Sequence, residues 1–298
     1  MTSGIKVKLL NYEMDPNHLI GHGLIATVHP AIDTSLNPPK AVVIKSYSLK
    51  RLKKPRITTD ASLIEKFNSE CTNLNEVKGI PHCIQLIEII NDQENDIAHL
   101  VLEPFARNGS LQSICDKSAL NEKNIRLCFF QIAEALSLIH EKNIVHRDNN
   151  PENILSDSEE SFFLTDFNSS YKMKNSNELL EDTEGCLPYL SPEEVSGNEF
   201  APKPADVWKY GATLYKIFFG KLPFNLEEVF ANTPGTITVL TVCDAYETNK
   251  LSLEIPQGKS INPLIIQLIA KILVTNPLKR PSFKDILSDP AFADLQKM

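Results

Sequence analysis

The chain has 298 residues, 42% of them apolar, which is too long for one small domain and enough for two packed cores. Asp and Glu number 38 against 30 Lys and Arg, for a net charge of −8; that sign argues against general nucleic-acid binding, because phosphate backbones are held by an excess of basic side chains. The six cysteines, at 71, 83, 115, 128, 186 and 243, make no CxxC pair and no metal-ligand rhythm, and read as reduced, mostly buried thiols.

From Asn11 to Lys45 the pattern is strand, glycine turn, strand, proline-bearing turn (NPPK) and strand, the last being the β-branched run AVVIKSY. GHGLIATV, 21 to 28, lies in the first hairpin, where Gly21 and Gly23 let the backbone approach phosphates closely. The basic stretch KSYSLKRLKKPR, 45 to 56, reads as a solvated loop entering the next helix. That helix starts with a cap-like Thr59 or Asp60 and carries apolar residues at Leu63, Ile64, Phe67, Cys71 and Leu74 before stopping at Gly79. Glu70 borders its inward face, while Glu65 and Glu76 read as solvent-facing. HCIQLIEIINDQENDIAHLVLEPF then reads as two strands joined by a polar turn.

NGSLQSICDK and NEKNIRLCFFQIAEALSLIHEKN have helical spacing, with Asn121 a cap for the second helix. It leads into IVHRDNNPENIL, Ile144 to Leu155, where Asp148 stands five residues before Asn153. A dozen residues later FFLTDFN places Asp166 after an apolar strand-like run. Two loops thus offer oxygen ligands beside a strand, which is how a magnesium-phosphate site is built.

In order and spacing, GHGLIATV, VVIK at 42 to 45, Glu70, HRDNNPEN, DFN at 166 to 168, SPE at 191 to 193, DVWKYG at 206 to 211 and Arg280 resemble the motifs of eukaryotic protein kinases of the Ser/Thr type. The end of the chain, Leu264 to Leu273 and TNPLKRPSFKDILSDPAF, resembles the calcium/calmodulin-dependent and AMP-activated groups. The resemblance implies an α+β fold of two lobes: a β-rich N-lobe over 1–104 and a mostly helical C-lobe over 105–298. It implies ATP and Mg2+ as cofactors and proteins with Ser/Thr acceptors as substrates. In it Lys45 grips the α- and β-phosphates, Glu70 orients Lys45, Asp148 takes the substrate hydroxyl's proton, and Asn153 and Asp166 hold metal. Gly21, Gly23, Val28, Val43, Leu102, Glu103, Phe105 and Leu155 would line the nucleotide, with Leu102 as gatekeeper and Glu103 to Phe105 as the hinge facing adenine. His146 and Phe167 would pack as core, Asp206 would start the buried helix and hold the loop's backbone, and Glu193 would pair with Arg280.

Five positions depart from the kinase pattern: Ala26 and Asn168 for glycines, Val43 for the alanine over adenine, Asn150 for the loop lysine and Cys186 for the threonine of the GTxxYxAPE segment. Asn150 can donate a hydrogen bond to the γ-phosphate but brings no charge to it, and losing one such electrostatic contact commonly costs about 10²–10³ in rate. Two functions follow: a slow Ser/Thr kinase, or a pseudokinase acting as scaffold or allosteric activator. For Arg147, which in the family meets a phosphate on the activation segment, either Asp182 supplies a fixed charge or Thr183 takes a phosphate.

MTSGIKVKLL has neither a long apolar core nor a cleavage site, and Gly4 is not where myristoylation needs a glycine. No apolar run is long enough to span a bilayer, and no autoinhibitory tail or regulatory domain is expected. The protein is expected to be soluble and cytoplasmic, without a membrane segment and without nucleic-acid binding; its oligomeric state is left open.

Overall fold

The alternating β-branched runs of the first hundred residues form one antiparallel sheet. In the computed structural model, which describes residues 7–22, 26–52, 63–104, 107–117, 120–233, 236–248, 253–256 and 261–296, the chain divides into two compact units. The first is Met1–Gly79 with Ile84–Phe105, and the second is Ile80–Cys83 with Ala106–Met298.

Among the described residues, the first unit holds strands β1 (Val7–Leu9), β2 (Tyr12–Met14), β3 (Gly21–His22), β4 (Ala26–Asp33), β5 (Lys40–Ser48), β6 (Leu86–Asp92) and β7 (Ile97–Leu102). They lie in the order β1-β2-β4-β5-β7-β6, with β3 paired to β4. One face buries Tyr12, Met14, Ala31, Val42, Ile44, Ile90 and Val101 as a cluster, the period-2 result of alternating apolar residues. Lys45 lies in the middle of β5 rather than at its end, opposite Val28 of β4 and Leu100 of β7. Two helices follow β5: the single turn α1 (Leu49–Leu52) and the longer α2 (Leu63–Glu76). On α2, Phe67, Glu70 and Leu74 are buried while Glu65 and Glu76 are exposed, as the helical spacing predicts. The expected cap residues Thr59 and Asp60 lie outside the described residues. The basic stretch expected to be a loop is still strand to Ser48 and then a helical turn to Leu52; its residues 53–56 also lie outside the described set. β1 was not predicted, because three mostly exposed residues carry no alternation to read.

The second unit runs β8 (Gly109–Ser110), α3 (Leu111–Asp116), α4 (Glu122–Glu141), β9 (Ile144–Val145), β10 (Ile154–Ser158), β11 (Ser161–Leu164) and β12 (Tyr171–Lys172), then α5 (Pro192–Val195), α6 (Pro202–Phe219), α7 (Leu226–Asn232), α8 (Val239–Thr248), α9 (Pro263–Ile272) and α10 (Phe283–Leu287). Asn121 caps α4 as predicted, its side chain accepting from the Asn124 amide at 2.9 Å. α6 is buried on every side from Ala205 to Tyr215, the mark of a central helix. A Cβ on Gly211 would run into Ile272 Cγ2 and reach 3.1 Å from Leu273 Cδ2, so this glycine sets how closely α6 meets α9. α6 begins at Pro202, one turn before Asp206; the first-turn prolines need no amide partner there, so Asp206 projects from inside the helix rather than from its start.

The fold is thus α+β, with a β-rich N-terminal lobe and a mostly helical C-terminal lobe. None of the six cysteines is in a disulfide, but only Cys83 and Cys128 are buried and the other four are partly covered. The expectation of mostly buried thiols therefore fails, since Cys71, Cys115, Cys186 and Cys243 sit at the borders of the packed faces. Among the described residues no helix is long and apolar enough to cross a membrane.

Candidate active site

In the first unit, Lys45 Nζ meets Glu70 Oε1 at 2.8 Å, with side-chain exposures of 13% and 2%. A carboxylate that buried needs its oxygens satisfied. The second oxygen accepts from the Tyr47 hydroxyl, and Lys45 Nζ lies 5.4 Å from the Tyr47 ring centroid. Burial pushes the Tyr47 phenol well up, so it remains a donor. Tyr47 was missed in the sequence, although two residues along a strand return to the same face. Gly21 pairs with Val28 across β3 and β4, and Val43 with Leu102 across β5 and β7. The Glu103 amide is occupied by the Gln85 carbonyl at 3.0 Å. Gly23 and Phe105 lie outside the described residues.

In the second unit the catalytic-loop candidates are held from below by Asp206, which is fully buried. Its carboxylate accepts from the amides of His146 and Arg147, each at 2.7 Å, and meets His140 Nε2 at 2.9 Å. Burial pushes the Asp206 carboxyl up, but the His140 hydrogen bond and the His140, Lys209 and His146 charges outweigh it and hold the group below its ordinary range. Asn149 Nδ2 reaches the Asp206 carbonyl at 3.2 Å, and Thr213 Oγ1 donates to the Asn149 carbonyl at 3.0 Å. His140 and Thr213 had not been foreseen.

The loop so fixed gathers three donors on Asp148. Asn150 Nδ2 lies 2.9 Å and the Cys186 amide 2.8 Å from Oδ1, and Asn153 Nδ2 lies 2.8 Å from Oδ2. Burial pushes the Asp148 carboxyl up, with His146, the Asn150 and Cys186 hydrogen bonds and the Lys209 charge pulling the other way. Asn153 also gives Nδ2 to the Asp148 carbonyl at 2.8 Å, so its amide oxygen is the atom left to face a metal. Its backbone carbonyl accepts from the Thr165 amide at 2.9 Å, which ties the loop of Asn153 to the one carrying Asp166. A carboxylate and an amide oxygen are hard donors and fit Mg2+. Leu155 follows in β10, half-buried and opposite Phe163.

Phe167 is fully buried edge-on to His146, centroids 4.9 Å apart, as expected. The bend of this loop falls on Asp166, at φ 61°, and not on Asn168, which sits in the short helical turn Phe167–Ser169. The side chain at 168 therefore needs no left-handed backbone, and the loss of a glycine there carries no backbone strain.

The activation-segment candidates pack on the same loop. Arg147 Nη2 lies 3.0 Å from Asp182 Oδ2 and donates to the Asp182 carbonyl at 2.6 Å. Thr183 Oγ1 donates to the Glu194 carbonyl at 2.9 Å. Gly185 has φ 98°, and a Cβ there would run into the Arg147 carbonyl oxygen and come 3.0 Å from Asp148 Oδ1. Burial and the Asp148 charge push the Cys186 thiol up to about 11, so it stays neutral. Arg280 grips Glu193 with both nitrogens, at 2.5 and 2.7 Å, and stacks 4.8 Å from the Trp208 ring centroid. Among the predicted residues, Lys45 and Glu70 meet in one unit; Asp148 and Asn153 meet in the other, with Asp166 on the adjoining loop.

The sequence matches the family described as Protein kinase domain over residues 14–292. It is 33% identical over 217 residues to the probable serine/threonine-protein kinase KCC4 of Saccharomyces cerevisiae, covering 72% of this chain and 20% of that one. Carbon catabolite-derepressing protein kinases of Candida glabrata and Secale cereale are each 31% identical, over 71% and 69% of this chain and 32% and 38% of theirs. The chain thus spans about a fifth to two fifths of the length of these relatives.

Proposed function

Because the chain belongs to the protein kinase domain family, we propose that it transfers the γ-phosphate of Mg-ATP to serine or threonine hydroxyls of proteins, at a turnover slowed by its missing loop lysine. The observation that carries this reading is the Asp148 carboxylate, held by the Asn150, Asn153 and Cys186 donors where it can accept the hydroxyl proton. Lys45, fixed by Glu70 and Tyr47, binds the α- and β-phosphates, with Gly21 and Gly23 the residues proposed to admit them. The proposed adenine contacts are Val28, Val43 and Leu102 and the hinge Glu103 to Phe105 on the first unit, and Leu155 on the second. Asn153 and Asp166 hold Mg2+, which supplies positive charge to the phosphates when bound. Asn150 donates a hydrogen bond where a cation would do more, and this limits the rate.

Asp182 stands in for a phosphate on Arg147, a reading supported by the 3.0 Å ion pair between them. Its hydroxyl being engaged by the Glu194 carbonyl, Thr183 has a structural task that a phosphate would end. The setting is the cytoplasm, where six cysteines outside any disulfide fit a reducing compartment.

The test is transfer of labelled phosphate from Mg-ATP to a generic basic protein, with Asp148→Asn alongside. Label on serine and threonine that disappears in the variant supports the proposal. No transfer, together with no thermal shift on adding Mg-ATP, refutes it in favour of a scaffold that does not use nucleotide.

A further inference from the structure

The second unit buries an ion pair that the chemistry above does not use. Lys209 of α6 meets Glu194 of α5, with side-chain exposures of 1% and 0%. Taking both charges out of water costs several kcal/mol each, and apolar residues of similar volume usually serve stability as well or better. The pair therefore needs another explanation, and its remaining partners supply one.

Lys209 Nζ also donates to the Glu184 carbonyl at 3.3 Å. The other Glu194 oxygen accepts from the Ser191 amide and hydroxyl, both at 2.8 Å, and the Glu194 carbonyl accepts from Thr183. One ammonium thus fastens both ends of the stretch 184–194. Two residues past the Glu184 carbonyl is the Cys186 amide, 2.8 Å from Asp148 Oδ1. Between them Gly185 allows no lateral freedom, since it already abuts the Arg147 carbonyl. The Cys186 thiol is a poor hydrogen-bonding replacement for a threonine hydroxyl, so the main-chain amide is this segment's tether to Asp148. Its position depends on whatever holds the backbone at 184.

We propose that Lys209 is a positioning residue for Asp148: seated under the segment and balanced by Glu194, it fixes the Glu184 carbonyl so that the Cys186 amide is presented to the carboxylate. The Lys209 charge also acts on the Asp148 carboxyl against the effect of burial. This rests on the kinase reading for its consequence in catalysis, but its geometric content does not.

The experiment compares the full chain with Lys209→Met/Glu194→Gln, which removes both charges and keeps an acceptor for Ser191, and with Lys209→Met/Glu194→Leu, an apolar replacement. Amide hydrogen exchange reads the tether without reference to activity. The Cys186 amide is expected to lose protection by about ten-fold or more in both variants, while α6 and α9 amides stay protected. In the phosphate-transfer assay kcat falls by about ten-fold or more with KM for ATP unchanged, a split that general loosening of the fold would not give. Unchanged Cys186 protection in a folded variant overturns the proposal. So does failure of both variants to fold, which would make the pair a determinant of the fold rather than of position. A wild-type chain inactive with Mg-ATP, whose Cys186 amide is nonetheless deprotected by the double variants, refutes the kinase reading and leaves the role of Lys209 in place.

Discussion

Replacing Asp182 by Asn tests whether a fixed carboxylate does the work of a phosphate. Arg147 is 5% exposed and Asp182 61% exposed, and their closest approach is 3.0 Å. The carboxylate is well hydrated, so the pair belongs near the top of the range for exposed ion pairs, about 1 kcal/mol, rather than with buried ones. The Asp182 carbonyl, 2.6 Å from the same Nη2, survives the substitution and keeps the segment from falling away. About 1 kcal/mol shifts the ordered population about five-fold. Initial rates of phosphate transfer by phosphatase-treated Asp182→Asn should fall by that factor, those of Asp182→Glu by less, and Thr183→Val should not resemble either. Full activity in Asp182→Asn, or a phosphate on Thr183 whose removal silences the wild type, would refute the reasoning.

Other expectations follow from the same geometry. Gly185→Ala forces a side chain into the Arg147 carbonyl at φ 98°, so the catalytic loop and the segment must separate; kcat should drop by about 10², and a rate within two-fold of wild type would contradict the close approach. Arg280→Met strands Glu193 and gives up bonds to the Pro204 and Val274 carbonyls, both at 2.9 Å. The loss should be about 3–5 kcal/mol, read as a Tm about 10 °C lower, and a shift of only a degree or two would show the pair to be slack. Asp148 must be ionised to accept a proton, and burial raises its pKa in the folded chain. Activity is therefore present above that raised value and lost as pH falls through it, and the acidic limb of kcat/KM should lie above the ordinary aspartate range; a profile flat down to about pH 4 would sink this assignment.

The sequence carried the fold wherever spacing repeats: the β5 run, the α2 stripe that Glu70 borders, the capped α4 and the HRD, DFN and SPE marks. It also carried the pairs whose partners are family marks, Lys45 with Glu70 and Glu193 with Arg280. Less legible were partners whose position depends on a third element. Lys209 follows Asp206 by three residues, and Thr213 follows by seven, so helical geometry puts all three on one face; yet a lysine in an apolar helix reads as a surface residue until Glu194 of α5 is known to lie against it. The glycine that Asn168 replaces suggests a bend at 168, whereas the backbone turns at Asp166, and a φ value leaves no trace in residue identity when a non-glycine adopts it.

The measurement that bears most directly on the account is the rate of phosphate transfer in Asn150→Lys. Asn150 now gives Nδ2 to Asp148 and accepts from the Glu152 amide at 2.9 Å, so lysine sacrifices a cap worth about 1 kcal/mol to bring a cation to the γ-phosphate. The account predicts a Tm a few degrees lower and kcat higher by about ten-fold or more, all of it lost in Asn150→Lys/Asp148→Asn. A variant no faster than wild type, or a double variant that still transfers phosphate, would contradict it.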